Sequence, residues 1–165
     1  MSEPNAAKAV RLLAELVEMD RTVRSRRQSL TLSQKQRRAA IIRELHLWAL
    51  ARQRGAAPPG AEKRQFPRAP VHLKVQLLGG PRAVDLQSES LAVGGVCVTV
   101  SFAPRVGDLL PLRLQPLEDA PFDVMGEVVW FDPVRARAGV RFHDLSDEGR
   151  AVLERLVFSD LVKDG

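Results

Sequence analysis

Cysteine is nearly missing from this chain, tyrosine is missing altogether, and long apolar runs do not occur. A single cysteine in 165 residues, Cys97, excludes an internal disulfide. The three histidines, His46, His72 and His143, are too scattered to resemble a zinc site, so metal chemistry has no visible ligands. Six phenylalanines and two tryptophans leave the chain lean in aromatics, and a small core is expected to need most of them, Trp130 included. Nowhere do eighteen apolar residues run together, and "MSEPNAAKAV" lacks a basic start leading into an apolar core. The expectation is a cytoplasmic protein with no membrane association. There is no Ser/His/Asp order, no GxGxxG and no P-loop. Nothing therefore points to an enzyme.

What is present is an ordinary globular composition, 45% apolar and 27% charged, long enough for one cored domain with an appendage or for two small domains. The formal charge of +5 is unevenly spread. Residues 1–55 hold twelve Lys or Arg against five Asp or Glu, and the remainder holds thirteen against fifteen. The basic character belongs to the front third, which predicts different partners for the two parts.

The front third reads as two helices. Ser2 is placed to cap the first, Glu3 and Pro4 suit its opening turn, and Ala6, Ala9, Val10, Leu13, Leu16 and Val17 recur at helical spacing. Ser33 with Gln36 forms a capping-box start for the second, whose stripe is Ile41, Ile42, Leu45, Trp48 and Ala49. Neither helix buries much alone, so the pair must pack on itself, on the rest of the chain, or on a second copy as a homodimer. "RGAAPPGAEK" then concentrates Gly, Ala and Pro without periodicity. The expected division is a basic helical hairpin over 1–54, a linker over 55–63 and a second domain over 64–162.

Beyond the linker the period changes from 3.6 to 2. Val71, Leu73, Val75 and Leu77 alternate with polar residues, as do Val96, Val98, Val100 and Phe102. Leu110, Leu112 and Leu114 continue the series, followed by Phe122, Val124, Val128 and Trp130 on one face and by Ala138, Val140 and Phe142. With a weaker strand near 83–89, these segments predict six short strands in an antiparallel barrel, since closure removes exposed edges. Ser146 caps a final helix with Leu153, Leu156 and Val157 as its stripe, expected to close one mouth of the barrel or lie along its side.

"KRQFPRAPVHLKVQLL" sets Arg64 and Arg68 just ahead of the first strand, on a segment that Pro67 keeps out of a regular helix. Guanidinium groups match phosphate oxygens, or the O6 and N7 of guanine, with paired hydrogen bonds. Spacing alone favours solvated linker charges over a ligand arm.

The order of marks is more specific. RxxxR ahead of an alternating strand, a Gly-Gly turn, "GEVVW", "AGVRF" and a closing helix together resemble the PilZ domain family over residues 63 to about 160. The resemblance implies an α+β fold, a six-stranded antiparallel barrel with a terminal helix, and cyclic di-GMP as the usual ligand. It places Arg64 and Arg68 on the family's arginine arm. The family's second motif, D or N, x, S, x, x, G, falls on "SLAVGG", where Ser90 replaces the acid or amide, Ala92 replaces the serine, and Gly95 agrees. If each lost contact weakens binding by about 1 to 1.5 kcal/mol, two reduce affinity on the order of 30- to 150-fold. Ser88, Glu89 or a backbone nest at Gly94 and Gly95 would have to compensate. A register using Ser88 and Ser90 puts Val93 at the glycine position and is disfavoured.

The resulting expectation is a non-enzymatic bacterial signalling adaptor that binds cyclic di-GMP and relays it to a protein partner. The alternative is a degenerate PilZ domain that binds no ligand and serves as a protein-interaction module. A third reading rests on Arg21, Arg24, Arg26, Arg27, Lys35, Arg37 and Arg38, seven cations around the helix junction. Such a cluster suits nucleic-acid phosphates or an acidic protein, but nothing is placed to read bases, so a solubilising face is preferred.

Overall fold

The computed structural model describes residues 6–26, 28–56 and 67–163. Ser2, Glu3, Pro4, Arg27, the linker from residue 57 and Arg64 lie outside the described residues. The elements in chain order are α1 (Ala6–Arg26), α2 (Leu32–Ala56), β1 (Lys74–Leu77), β2 (Val84–Ala92), β3 (Gly95–Thr99), β4 (Leu109–Gln115), β5 (Phe122–Asp132), β6 (Arg137–His143) and α3 (Asp147–Lys163). They fall into two compact units, Met1–Pro67 with Glu154–Gly165, and Arg68–Leu153. No helix among the described residues is long and apolar enough to cross a membrane.

In the helical unit, α2 begins two residues earlier than the Ser33 cap predicts. Thr31 is the cap: its Oγ1 accepts the Gln34 N–H at 3.2 Å, and Gln34 Oε1 accepts the Thr31 N–H at 2.9 Å. This is a reciprocal capping box with the same chemistry in a different register, leaving Ser33 inside the first turn. α1 and α2 run antiparallel, as shown by Lys8 pairing with Glu44 at 2.9 Å and Glu15 with Arg37 at 2.7 Å. Their core joins Ala9, Leu12 and Leu16 to Ile41, Leu45, Trp48 and Ala49, with Phe158 of α3 packed among them. The predicted α1 stripe was rotated too far round the helix: Val10 is 51% exposed and Leu12, left out of the stripe, is buried. α3 does not belong wholly to the barrel either. Its residues from Glu154 onward group with the hairpin, because Phe158 finds its apolar neighbours there.

A second polar feature of this unit is a buried charge cluster. Arg38 donates from Nε to Asp20 Oδ1 at 3.0 Å, from Nη2 to Asp20 Oδ2 at 3.3 Å and from Nη1 to Glu154 Oε1 at 3.3 Å. It thereby ties one side chain from each of the three helical segments together.

The barrel unit closes in the order β1-β2-β3-β6-β5-β4, every pairing antiparallel and β4 returning to β1. The alternation read from sequence supplies its interior: Val75, Leu86, Val96, Val98, Leu112, Leu114, Val124, Val128, Ala138 and Val140 are all buried. β2 is longer than the weak strand expected at 83–89 and runs through Ala92. Two register shifts interrupt the alternation, one between Ser88 and Ser90 and one between Val128 and Trp130. Each adds one residue to its strand and changes which side chains face out. Ser146 caps α3 as expected, its Oγ accepting the Gly149 N–H at 3.0 Å.

Candidate functional site

The site begins with a single bridge. Ala69 N–H donates to the Leu91 carbonyl at 2.9 Å and the Ala69 carbonyl accepts the Leu91 N–H at 2.8 Å, stitching the segment ahead of β1 to the end of β2. Ala69 and Leu91 are both fully buried. Neighbouring side chains alternate across such a pairing, so Arg68 and Ser90 turn together to the outer face, whereas Ala92, on the same side of β2, is buried. Two of the predicted ligand residues, Arg68 and Ser90, are thus held on one surface, while Arg64 lies outside the described residues.

The bulge in β2 decides what else that surface offers. It sends Ser88 inward, where it is fully buried and its Oγ accepts the Leu73 N–H at 2.6 Å while donating to the Val71 carbonyl at 2.9 Å. The extra residue, Glu89, accepts from Thr99 Oγ1 at 3.0 Å and pairs with Arg137 at 2.8 Å. Ser88 and Glu89, offered by the sequence as substitutes for the altered motif, are therefore already engaged by the protein itself.

Gly94 is the second residue of the β2–β3 turn and its carbonyl accepts the Phe142 N–H at 2.9 Å, whereas Gly95 opens β3 opposite Ala92 and Arg141. The positive-φ glycines among the described residues are Gly79 and Gly107, so the alternating backbone of a phosphate nest is not formed at Gly94 and Gly95. Gly95 has a packing reason instead. A Cβ there would run into the Val140 carbonyl oxygen and approach Arg141 Cα to 3.3 Å.

From Ser90 a row of directly paired residues crosses the outer face: Ser90 to Cys97, Cys97 to Gly139, Gly139 to Trp130. Arg137 and Arg141 stand two residues either side of Gly139 on β6 and share its face. Arg141 donates to Glu127 at 3.2 Å, and His143 lies 3.1 Å from the same carboxylate. Trp130 corrects the sequence reading. The bulge at β5 turns it out of the core series of Val124 and Val128, leaving it 37% exposed, and Phe131 takes the place opposite buried Ala138. Strict alternation carried through that bulge placed Trp130 inside. The outward arginines were visible only as the polar partners in "RARAGVRF", a signal that marks a face without saying what lies on it.

Cys97 sits in the middle of this row. Burial pushes its thiol above the usual range, and the Glu89 carboxylate adds to the effect while Arg137 and Arg68 oppose it. The thiol thus stays protonated at neutral pH, and alkylation by iodoacetamide is expected to be slower than for an unhindered peptide thiol at pH 7.5 and to accelerate as pH rises. A rate at pH 7.5 equal to that of a free thiol would contradict this description of the surface. Among the described residues no group of three or more His, Cys, Asp and Glu could hold a metal ion.

The basic hairpin offers less free charge than its sequence suggests. Arg37 makes paired bonds to Glu15 at 2.7 and 2.9 Å, and Arg38 is consumed by Asp20 and Glu154.

The sequence model of the PilZ domain matches residues 62–159. No curated protein matches the chain. Among solved structures, the inhibitor of motility MotI (DgrA) of Bacillus subtilis is similar at 17% identity with a TM-score of 0.54, over 66% of this chain and 57% of its own. The chain therefore corresponds to little more than half the length of that protein. The PilZ domain of YcgR from Escherichia coli, solved with c-di-GMP, is similar at 15% identity with a TM-score of 0.49, over 62% of this chain and 95% of its own. A match to the family model over more than half its length, laid on a closed six-stranded barrel with a following helix, makes this chain a member of the PilZ domain family.

Proposed function

We propose that this PilZ domain binds cyclic di-GMP on the outer face of β2, β3 and β6 and relays binding to a protein partner as a non-enzymatic cytoplasmic adaptor. The observation that carries the reading is the Ala69–Leu91 bridge, which sets Arg68 on the same face as Ser90. Arg68 supplies a fixed cation whose fork suits a phosphate or the Hoogsteen edge of guanine, and Arg64, four residues earlier on the same arm, adds a second. Ordering of that arm around the ligand is the event passed to the partner.

The test is calorimetric titration of cyclic di-GMP into the whole chain at low salt. Micromolar or tighter binding is expected, and Arg68→Ala is expected to weaken it on the order of 100-fold, the loss of one or two charge-assisted hydrogen bonds. Unchanged affinity in that variant would overturn the role of Arg68.

A second reading is favoured by one specific observation. Ser90 offers a single hydroxyl where two paired contacts are usual in the family, Ala92 offers none, and Ser88 and Glu89 are already bonded within the protein. On that reading the barrel is a protein-interaction module without a nucleotide. Absence of heat at high ligand concentration, repeated in an orthogonal assay, would decide for it.

A further inference from the structure

Every strand pairing in the barrel is antiparallel, so β1, β3 and β5 all end at the same mouth, and the connections to β2, β4 and β6 all lie there. Those three connections repeat one composition: "PRAV" at 81–84, "PRV" at 104–106 and "PVR" at 133–135. Each offers a proline, an arginine and a valine. The valines stand out into solvent, Val134 at 92%, Val106 at 68% and Val84 at 40% exposure. Arg82, Arg105 and Arg135 are exposed too, and no carboxylate among the described residues holds their guanidinium groups. The nearby acids are spent on the loops themselves. Asp108 accepts the Arg105 N–H at 2.8 Å, and Asp132 accepts the Val134 and Arg135 N–H groups at 3.0 and 3.4 Å. These bonds and the prolines fix the loop shapes while the cations remain available.

Charge is divided between the two ends of the barrel. Residues 78–83, 100–108 and 133–136 hold three arginines against one acid, Asp108. At the other mouth, where the segment carrying Arg68 enters, residues 93–94, 116–121 and 144–146 hold Glu118, Asp119 and Asp144 and no Lys or Arg. A body polarised in this way turns its cationic end toward an anionic surface. Shape selects the kind of surface. The β1–β2 and β5–β6 connections stand on opposite sides of the six-strand rim, and the β3–β4 connection crosses between them, pinned by the Gly107 N–H to the Val128 carbonyl at 2.8 Å. Three protruding tips define a plane, whereas a peptide needs a groove or a free strand edge. Exposed valines beside arginines suit the headgroup boundary of a bilayer, where apolar tips enter and guanidinium forks meet lipid phosphates.

We propose that this mouth of the barrel docks on an anionic lipid bilayer through Val84, Val106 and Val134, with Arg82, Arg105 and Arg135 on the headgroup phosphates. The expectation of no membrane association rested on the lack of a span, which a peripheral contact does not require. Docking is independent of the cyclic di-GMP reading. The Ala69–Leu91 bridge meets β2 near its far end, at the opposite mouth, so the arginine arm stays clear of the bilayer. Each tip contributes modestly, so the contact is reversible and depends on all three.

The experiment is cosedimentation of the whole chain with vesicles of mixed phosphatidylglycerol and phosphatidylcholine, and with vesicles of phosphatidylcholine alone. Two double variants alter the tips, Val106→Ser with Val134→Ser and Arg105→Gln with Arg135→Gln. Leu117→Ser, which changes a fully exposed leucine at the other mouth, is the control. All five side chains are exposed, and circular dichroism checks that each variant is folded. The unaltered chain is expected on the anionic vesicles and not on the neutral ones. Each double variant is expected to lower the partition coefficient on the order of tenfold, and Leu117→Ser to leave it within about twofold. Absence of binding to the anionic vesicles would overturn the proposal. Equal partitioning of the tip variants and the unaltered chain would overturn it too, and assign the binding to the basic helices. Sedimentation velocity without lipid covers the remaining occupant: self-association that both tip variants abolish would place a second copy on these tips in place of a bilayer.

Discussion

Arg38→Ala is expected to lower folding stability by about 3 to 5 kcal/mol, near the top of the range for single substitutions. Arg38 stands between two carboxylates whose side chains are only 10% and 6% exposed, Asp20 and Glu154, and hydrogen-bonds both. Burial works against its charge, but the hydrogen bonds and charges of those two carboxylates more than offset this and hold the guanidinium above its ordinary range. Removing the arginine leaves two desolvated anions facing each other's former partner. Arg155 Nε lies 3.9 Å from Asp20 and is too distant to replace the lost hydrogen bonds. Urea denaturation followed by far-UV circular dichroism measures the loss. The quadruple variant Arg38→Met, Asp20→Leu, Glu154→Leu, Arg155→Met, which also removes the arginine beside Asp20, is expected to recover most of it, since an apolar replacement of a whole buried ion cluster is often neutral. A loss below about 1 kcal/mol for Arg38→Ala would mean that solvent reaches the cluster and screens it.

Gly95→Val is the second large effect, expected at about 3 kcal/mol or more. The first added carbon meets the Val140 carbonyl oxygen, with the Val140 carbonyl carbon and Arg141 Cα at 3.3 Å. Those are backbone atoms of β6, which pairs with β3 along five residues from Gly95 to Thr99, so no rotamer change can make room. Gly80→Ala provides the control. Its new Cβ would have the Arg82 carbonyl as nearest neighbour at 3.6 Å, ordinary contact, and its effect is expected within about 0.5 kcal/mol. Thermal melts of the two variants beside the unaltered chain check the difference. Equal melting temperatures for Gly95→Val and Gly80→Ala would show that β3 and β6 can separate locally without penalty. The glycine that matches the family's ligand motif is thus required here by strand packing, whatever it also does for a ligand.

The barrel was legible because half-buried strands must alternate, and Val75, Val96, Val98, Leu112, Leu114 and Val140 announce their buried face by that period alone. The end of α3 at the barrel side was equally plain from Ser146 followed by Asp147 and Glu148. What misled the reading were departures of one residue. A bulge costs no change in composition, so nothing in "GEVVWF" says that Trp130 leaves the inward series and Phe131 enters it. Likewise nothing in "QSESLA" says that Ser88 and Ser90 face opposite ways. Thr31 and Ser33 are equally good caps, each followed three residues later by glutamine. Only the completed hydrogen bonds of Thr31 and Gln34 choose between them.

The sequence by itself determined the division into helices and strands, the inner face of most strands, the arginines at the threshold of the first, and the likeness to the PilZ family. These depend on local periodicity, on proline and glycine positions and on the order of short motifs, all of which act between near neighbours in the chain. Tertiary structure alone decided that Arg68 shares a face with Ser90, Cys97 and the ring of Trp130. It decided too that Ser88 and Glu89 are spent on the protein's own backbone and side chains, and that Arg38 lies half-buried between buried Asp20 and Glu154. Those outcomes depend on which strand lies beside which and on where a bulge shifts the register, and the contacts that settle them join residues from 7 to 116 positions apart.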